Sequence, residues 1–183
     1  MLVDPEEIIV SPSITSNYNG EHISCFNTSD GSVFATASGG TGSLDYAWST
    51  TDVSQSVSGL PSGTYTVTVT DENDCTGVAS IALTEPSEID LSVVVTSDFN
   101  GDDVSCVEAN DGEATANSTG GTGLVTYNWS NSFSGPINSN LGAGKYYVTA
   151  TDINGCQTVD SILINDPLAV SYTHLTLPTI CSV

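Results

Sequence analysis

Apolar and polar residues alternate with a period of two along much of this chain, and no window carries the i, i+3, i+4, i+7 spacing of an amphipathic helix. In Thr64-Tyr65-Thr66-Val67-Thr68-Val69-Thr70, Tyr65, Val67 and Val69 share one face and four threonines the other. That is the pattern of a strand with one face on a core and one in water. The same alternation groups Ile8, Val10 and Ile14, then Val33, Ala35 and Ala37, then Leu44, Tyr46 and Trp48, then Ala79, Ile81 and Leu83. Turn chemistry bounds the runs: Asp30-Gly31, Gly39-Gly40-Thr41-Gly42 and Leu60-Pro61-Ser62-Gly63.

The pattern occurs twice. Sliding the chain by 81 residues lays Asn19-Gly20 on Asn100-Gly101, Cys25 on Cys106, Asp30-Gly31 on Asp111-Gly112, and Gly39-Gly40-Thr41-Gly42 on Gly120-Gly121-Thr122-Gly123. Trp48, Tyr65, Asp71 and Cys75 likewise meet Trp129, Tyr146, Asp152 and Cys156. Six or seven short strands per repeat, with one Trp on a central strand, predict an all-β chain of two tandem immunoglobulin-like β-sandwich repeats. Asp4-Pro5 maps onto Glu85-Pro86 and Asp166-Pro167, so residues 1–5 read as the end of a preceding repeat. The expected divisions are 1–5, 6–86, 87–169 and 170–183. The last segment, with its Ser-Tyr-Thr-His-Leu-Thr-Leu-Pro-Thr string, lacks acids and resembles a translated sequencing adapter. It is set aside as a non-native tail, with His174 and Cys181.

Charge removes several functions. The 183 residues hold 22 acids, one lysine (Lys145) and two histidines, a formal charge of −21. Such a chain repels phosphate backbones and anionic lipid, which excludes nucleic-acid binding. No run of about 18 apolar residues exists for membrane insertion. Serine and threonine supply about a quarter of the chain, which suits exposed strand faces.

Cys25 to Cys75 and Cys106 to Cys156 share a spacing of 50 residues, so the duplication copied a complete pair. Four cysteines allow three pairings. Repeats that fold independently favour Cys25–Cys75 with Cys106–Cys156, the alternative being free buried thiols. Such bonds point to an oxidising, extracellular compartment.

Ile23-Ser24-Cys25, Asp30-Gly31-Ser32, the Gly-Gly-Thr-Gly loop, Tyr46-Ala47-Trp48-Ser49, Leu60 through Asp71 and Asn73-Asp74-Cys75 together resemble the SprB repeat. The second repeat follows with Val104-Ser105-Cys106 and Asp152-Ile153-Asn154-Gly155-Cys156, although Leu141-Gly142-Ala143-Gly144 replaces the Leu-Pro-Ser-Gly turn. The resemblance implies long secreted surface proteins of Bacteroidota, gliding-motility adhesins among them, exported by type IX secretion. It implies no catalytic residues. It implies a cell-surface location, with extracellular polysaccharide, a surface or a cell-surface protein as partner beside neighbouring repeats.

Other chemistry is weak in the sequence. His22 is the remaining histidine and its counterpart is Asp103, which argues against an acyl-transfer triad. Asp30/Asp111 and Asp71/Asp152 are the repeated carboxylates open to glycoside hydrolysis, with turn formation as the simpler role. The chain is therefore read as non-enzymatic and without a cofactor. Asp98, Asn100 and Asp102 could ligate calcium around Gly101, as a solvated Asn-Gly turn or as a metal loop. Tyr147 and the pair Tyr18/Phe99 are the aromatics expected outside the core, and Asp160-Ser161-Ile162 fits a short O-glycosylation pattern. Two other functions fit the same chain: an accessory region of a secreted polysaccharide-degrading enzyme, and a calcium-rigidified spacer without ligand.

Overall fold

The computed structural model describes residues 6–168; the segments 1–5 and 170–183, expected to be a repeat remnant and a non-native tail, lie outside the described residues. The chain divides into two compact units, one of Met1–Glu88 with Gly121–Gly123 and one of Ile89–Gly120 with Leu124–Val183. In the first, β1 (Ile9–Ile14), β2 (Gly31–Ser38) and β4 (Ser56–Leu60) form one sheet in the order β1-β2-β4, and β3 (Asp45–Trp48), β5 (Gly63–Thr70) and β6 (Thr76–Leu83) form the other in the order β3-β5-β6. All pairings are antiparallel. The second unit repeats the arrangement with β7 (Asp90–Val95), β8 (Gly112–Thr119), β9 (Thr126–Trp129), β10 (Ile137–Leu141), β11 (Gly144–Thr151) and β12 (Gln157–Ile164). The fold is an all-β sandwich.

The alternation read from the sequence is the alternation of burial. Val33 and Ala35 from one sheet meet Trp48, Val67 and Val69 from the other in a shared core, with Ile23, Val57, Leu60 and Leu83 closing it. Pro12 lies in β1 opposite Ala35. An edge strand tolerates it, because its missing N–H faces no second neighbour. Tyr65 closes a corner by donating its hydroxyl to the carbonyl of Pro61 at 2.7 Å, and Tyr146 does the same to Gly142 at 3.1 Å. Since the acceptor is main chain, the change from Leu-Pro-Ser-Gly to Leu-Gly-Ala-Gly leaves the bond intact.

β4 and β10 carry no period-two run of their own, and a bulge explains why. Gly31 pairs with Leu60 but Ser32 pairs with Ser58, so Gly59 is an extra residue on the strand. Its φ of 72° marks a glycine bulge, and Asn140 takes the equivalent place with φ 59°. The bulge turns both Val57 and Leu60 inward, three residues apart, which erases the period-two signal. In the second repeat Asn138 replaces Val57 and is only 1% exposed. It is satisfied by Asn131, giving a hydrogen bond of 3.1 Å to the Asn131 Oδ1 and receiving one of 3.4 Å in return.

Asp30-Gly31 is a packing device as well as a turn. Gly31 is the first residue of β2, where an added Cβ would lie 2.5 Å from Ile23 Cδ1, 2.7 Å from Leu83 Cδ1 and 2.9 Å from the Leu60 carbonyl oxygen. The last atom is backbone and cannot swing away. Gly31→Ala is therefore expected to destabilise the first repeat by about 1–3 kcal/mol through overpacking, read as a lowered urea midpoint. An unchanged midpoint would mean that β4 shifts without cost.

Candidate functional site

Each repeat concentrates its polar chemistry at its two ends, where the chain arrives and where it departs. At the leading end Gly39, Gly40 and Gly42 adopt φ values of 84°, 72° and 79°, which only glycine takes readily, and they fold a loop around Asp71. Asp71 is 5% exposed. Its Oδ1 accepts the N–H groups of Asn73 and Cys75, both at 2.9 Å, and its Oδ2 accepts that of Thr41 at 2.8 Å. Burial by itself would raise its pKa, yet the donors on Cys75, Thr41 and Asn73 hold it below the usual carboxylate value. The arriving chain is clamped to the same loop, Gly40 donating to the carbonyl of Glu6 at 3.0 Å. Asp152 repeats the role, accepting from Asn154 and Cys156 at 2.9 Å each.

The trailing end is a loop wrapped on the departing chain. His22 Nδ1 accepts the N–H of Thr84 at 3.1 Å. In the second repeat Asp103 Oδ2 accepts the N–H of Asn165 at 2.8 Å. Histidine and aspartate exchange freely here because the position needs only an acceptor. Asn27, with φ 58°, gives its N–H to Glu85 Oε2 at 2.7 Å, and Glu108, with φ 63°, gives its own to Asp166 Oδ1 at 3.3 Å. The acidic residue before the linker proline is thus fastened to its own repeat. Asp30 and Asp111 accept the N–H of Ser24 and Ser105 at 3.1 Å. Burial works to raise Asp30, but Ser24 and Tyr18 prevail and lower it; for Asp111 the bonds from Ser105 are the leading cause of the same shift.

This geometry overturns the expected disulfides. Cys25 lies between His22 and Asn27, the two residues that grip Thr84 and Glu85 after β6, whereas Cys75 precedes β6 at its far end. Seven residue steps along that strand cover about 24 Å, while a disulfide needs Cα atoms within about 7 Å. Cys106 and Cys156 are separated in the same way by β12. A repeat therefore cannot close on itself, so the expectation of Cys25–Cys75 and Cys106–Cys156 fails. Cys25, Cys106 and Cys156 are each disulfide-bonded, and Cys75 is an exposed free thiol. Spacing alone conceals this, because it records that both cysteines belong to the repeat but not which end each occupies.

The remaining sequence candidates are scattered. Asp30 sits at the trailing end and Asp71 at the leading end, with the length of β5 between them. A catalytic carboxylate pair needs a separation of roughly 5–10 Å. Asp98, Asn100 and Asp102 belong to a tight hairpin: Asp98 Oδ1 accepts the Gly101 N–H at 2.7 Å, Phe99 pairs with Asp102, and Asn100 and Gly101 have φ of 60° and 99°. This is an Asn-Gly type I′ turn, with the Asp98 carboxylate aimed at its amide. Among the described residues no group of three or more His, Cys, Asp and Glu side chains is placed to hold a metal ion. Tyr18, expected to stand clear, donates its hydroxyl to the carbonyl of Asp30 at 3.1 Å. Phe99 is half-buried, and Tyr147 is exposed with Lys145 Nζ 5.0 Å from its ring centre. Ser161 pairs across the sheet with Tyr147. An open depression beside the Asn19-Gly20 turn is lined by Ile14, Ser16, Asn17, Gly20, Glu21 and His22 and is too shallow to enclose a ligand.

The chain matches no curated protein. Among solved structures it is similar to a C-terminal 282-residue fragment of intimin, crystallised with the intimin-binding domain of the translocated intimin receptor, at 11% identity and a TM-score of 0.39. That match covers 88% of this chain, which spans 64% of the intimin fragment. It is also similar to fibronectin(III)-like modules of CbhA from Clostridium thermocellum, at 14% identity over 90% of this chain and 100% of theirs, with a TM-score of 0.34. The SprB repeat family matches at 19–53 and again at 99–132. Both matches run from the Asn-Gly turn through the trailing-end loop and β2 to the strand carrying the tryptophan. The two SprB repeat matches are consistent with two tandem copies of that repeat.

Proposed function

We propose that this chain is a non-catalytic segment of a repetitive extracellular adhesin or stalk, exported by type IX secretion in a member of the Bacteroidota and used in surface attachment or gliding. The observation that carries the reading is the repetition itself. The same sandwich and the same clasps at both ends occur twice, in a family of cell-surface proteins. A device copied whole, with its polar chemistry spent on clamping arriving and departing chain, suits a spacer. It does not suit a reaction centre, which would need convergent groups in one cleft. The charge of −21 keeps repeats soluble and discourages their collapse on one another, within a Debye length of about 8 Å at physiological ionic strength. The adhesive contact, to extracellular polysaccharide or a cell-surface protein, belongs to the parent protein as a whole.

The test is antibody labelling of the source bacterium with serum raised against both repeats, followed by deletion of the locus. Labelling of intact cells, with loss of attachment or spreading on deletion, is the expected result. Labelling only after permeabilisation would overturn the reading. So would a parent polypeptide whose activity is polysaccharide hydrolysis, which would make these repeats accessory modules.

A further inference from the structure

We propose that the outer face of the β9-β11-β12 sheet in the second repeat binds an acidic polysaccharide, one built from uronic acid units, through Tyr147 and Lys145. The inference deepens the adhesin reading and rests on it for the extracellular setting. It gives one repeat a contact of its own beyond spacing.

The two repeats agree inside and differ outside. On the core side of this sheet Trp48, Tyr65 and Val67 recur as Trp129, Tyr146 and Val148. On the side facing away, the first repeat presents Thr64, Thr66, Thr68 and Thr70 on β5, with Asp45 of β3 beside Thr70. The second has Lys145 and Tyr147 in place of Thr64 and Thr66, Leu163 beside Lys145 in place of Ala82, and Thr126 in place of Asp45. Tyr147 is 49% exposed and Leu163 54%. Changes on the wet side of a strand alter no core packing, so the sandwich itself does not account for them. No outward position of the three strands carries a carboxylate, since Asp160 pairs with buried Val148 and lies on the core side.

Charge decides the occupant. Lys145 is the single basic side chain beside 22 acids, yet among the described residues it makes no ion pair. Its Nζ lies over the Tyr147 ring instead, 5.0 Å from the centre. A cation held on an aromatic face, on a sheet surface without acids, is complementary to an anion. The other features choose a sugar over a protein. Tyr147, Val159 and Leu163 are interrupted by Thr149 and Ser161 rather than joined in a desolvated patch, and a stable protein interface needs about 800 Å² per partner. A sugar ring needs less. Its C–H face lies on the tyrosine, its hydroxyls exchange hydrogen bonds with Thr149, Ser161 and Asn128, and its carboxylate takes the Lys145 ammonium. Acids elsewhere on the repeat are screened beyond about 8 Å at physiological ionic strength, so the overall charge of −21 does not forbid the contact.

The experiment is calorimetric titration of the full chain with alginate and then polygalacturonate oligosaccharides, in EDTA and sodium chloride at physiological ionic strength. Neutral dextran oligosaccharides and poly-glutamate are titrated in parallel. Lys145→Thr and Tyr147→Thr install the residue that the first repeat carries at the same place, a good strand former, so both variants keep the fold. The expected result is binding of at least one polyuronate at one site per chain, weakened about tenfold or more by each variant, with no heat from dextran. Absence of binding to either polyuronate, binding that neither variant weakens, or equal binding of dextran would overturn the proposal. Tighter binding of poly-glutamate than of the polyuronates would also overturn it and assign the face to an acidic protein segment. Because the purified chain is titrated, these outcomes are distinct from failure of the adhesin reading, which the labelling of cells tests separately.

Discussion

Replacing Trp48 with alanine is expected to destabilise the first repeat by about 3–5 kcal/mol and to leave the second untouched. The indole is 4% exposed and lies in a core shared with Val33, Ala35, Val67 and Val69. Its Nε1–H reaches the carbonyl of Ser54 at 2.9 Å, so truncation opens a cavity and strands an acceptor together. A domain of this size has a total stability of about 5–10 kcal/mol, so the loss is a large share of it. The chain has two tryptophans, one in each core, which makes the measurement clean. In reducing buffer, urea denaturation of Trp48→Ala followed by circular dichroism should show an early transition. Fluorescence then reports Trp129 alone and should keep the wild-type midpoint. A fall in both midpoints would mean that the two cores do not unfold independently.

The second large effect concerns Asp71. Its carboxylate gathers three main-chain N–H groups of the leading end, and Asn would replace one acceptor oxygen by an amine facing a donor. Asp71→Asn is expected to lower the melting temperature of the first repeat by about 5–10 °C at neutral pH. The pH dependence follows from the direction of the shift. The folded pKa lies below that of the unfolded chain, so the stabilisation is fully present above the unfolded value near 4 and is lost as pH falls through the lower folded value. Wild type and variant should therefore differ most above about pH 5 and converge in acid. Asp30 and Asp111 are lowered as well and steepen the acid loss of wild type and variant alike. A difference that is constant from neutral to acidic pH would show that the loop depends on the shape of Asp71 and not on its charge.

Much of the fold is visible in the linear pattern, because a strand with one wet face repeats every two residues whatever surrounds it. Tyr65, Val67 and Val69 alternate inward as their spacing requires, and Trp48 is the core residue that its neighbours suggest. The exceptions have local causes. β4 is hidden by its bulge, and Asn138 looks like surface until Asn131 is found beside it. Gly31 resembles an ordinary turn glycine, and the pressure of Ile23, Leu83 and Leu60 on its missing side chain arises only when three separate segments meet.

The ends of the repeat are less legible, because their partners are distant in sequence. His22 and Asp103 read as an unrelated pair until each is seen to accept the N–H of the departing chain, 62 positions further on. The cysteines teach the same lesson. Their spacing of 50 residues, shared by both copies, records a duplicated pair and nothing of its geometry. By itself the sequence determined the strand class, the twofold repetition and the core faces, since all of these are written in local periodicity and in identities at a fixed offset. Only the tertiary structure decided which polar groups clamp the chain ends and that each repeat carries its two sulfurs at opposite ends, because a strand of eight residues is longer than any disulfide can span.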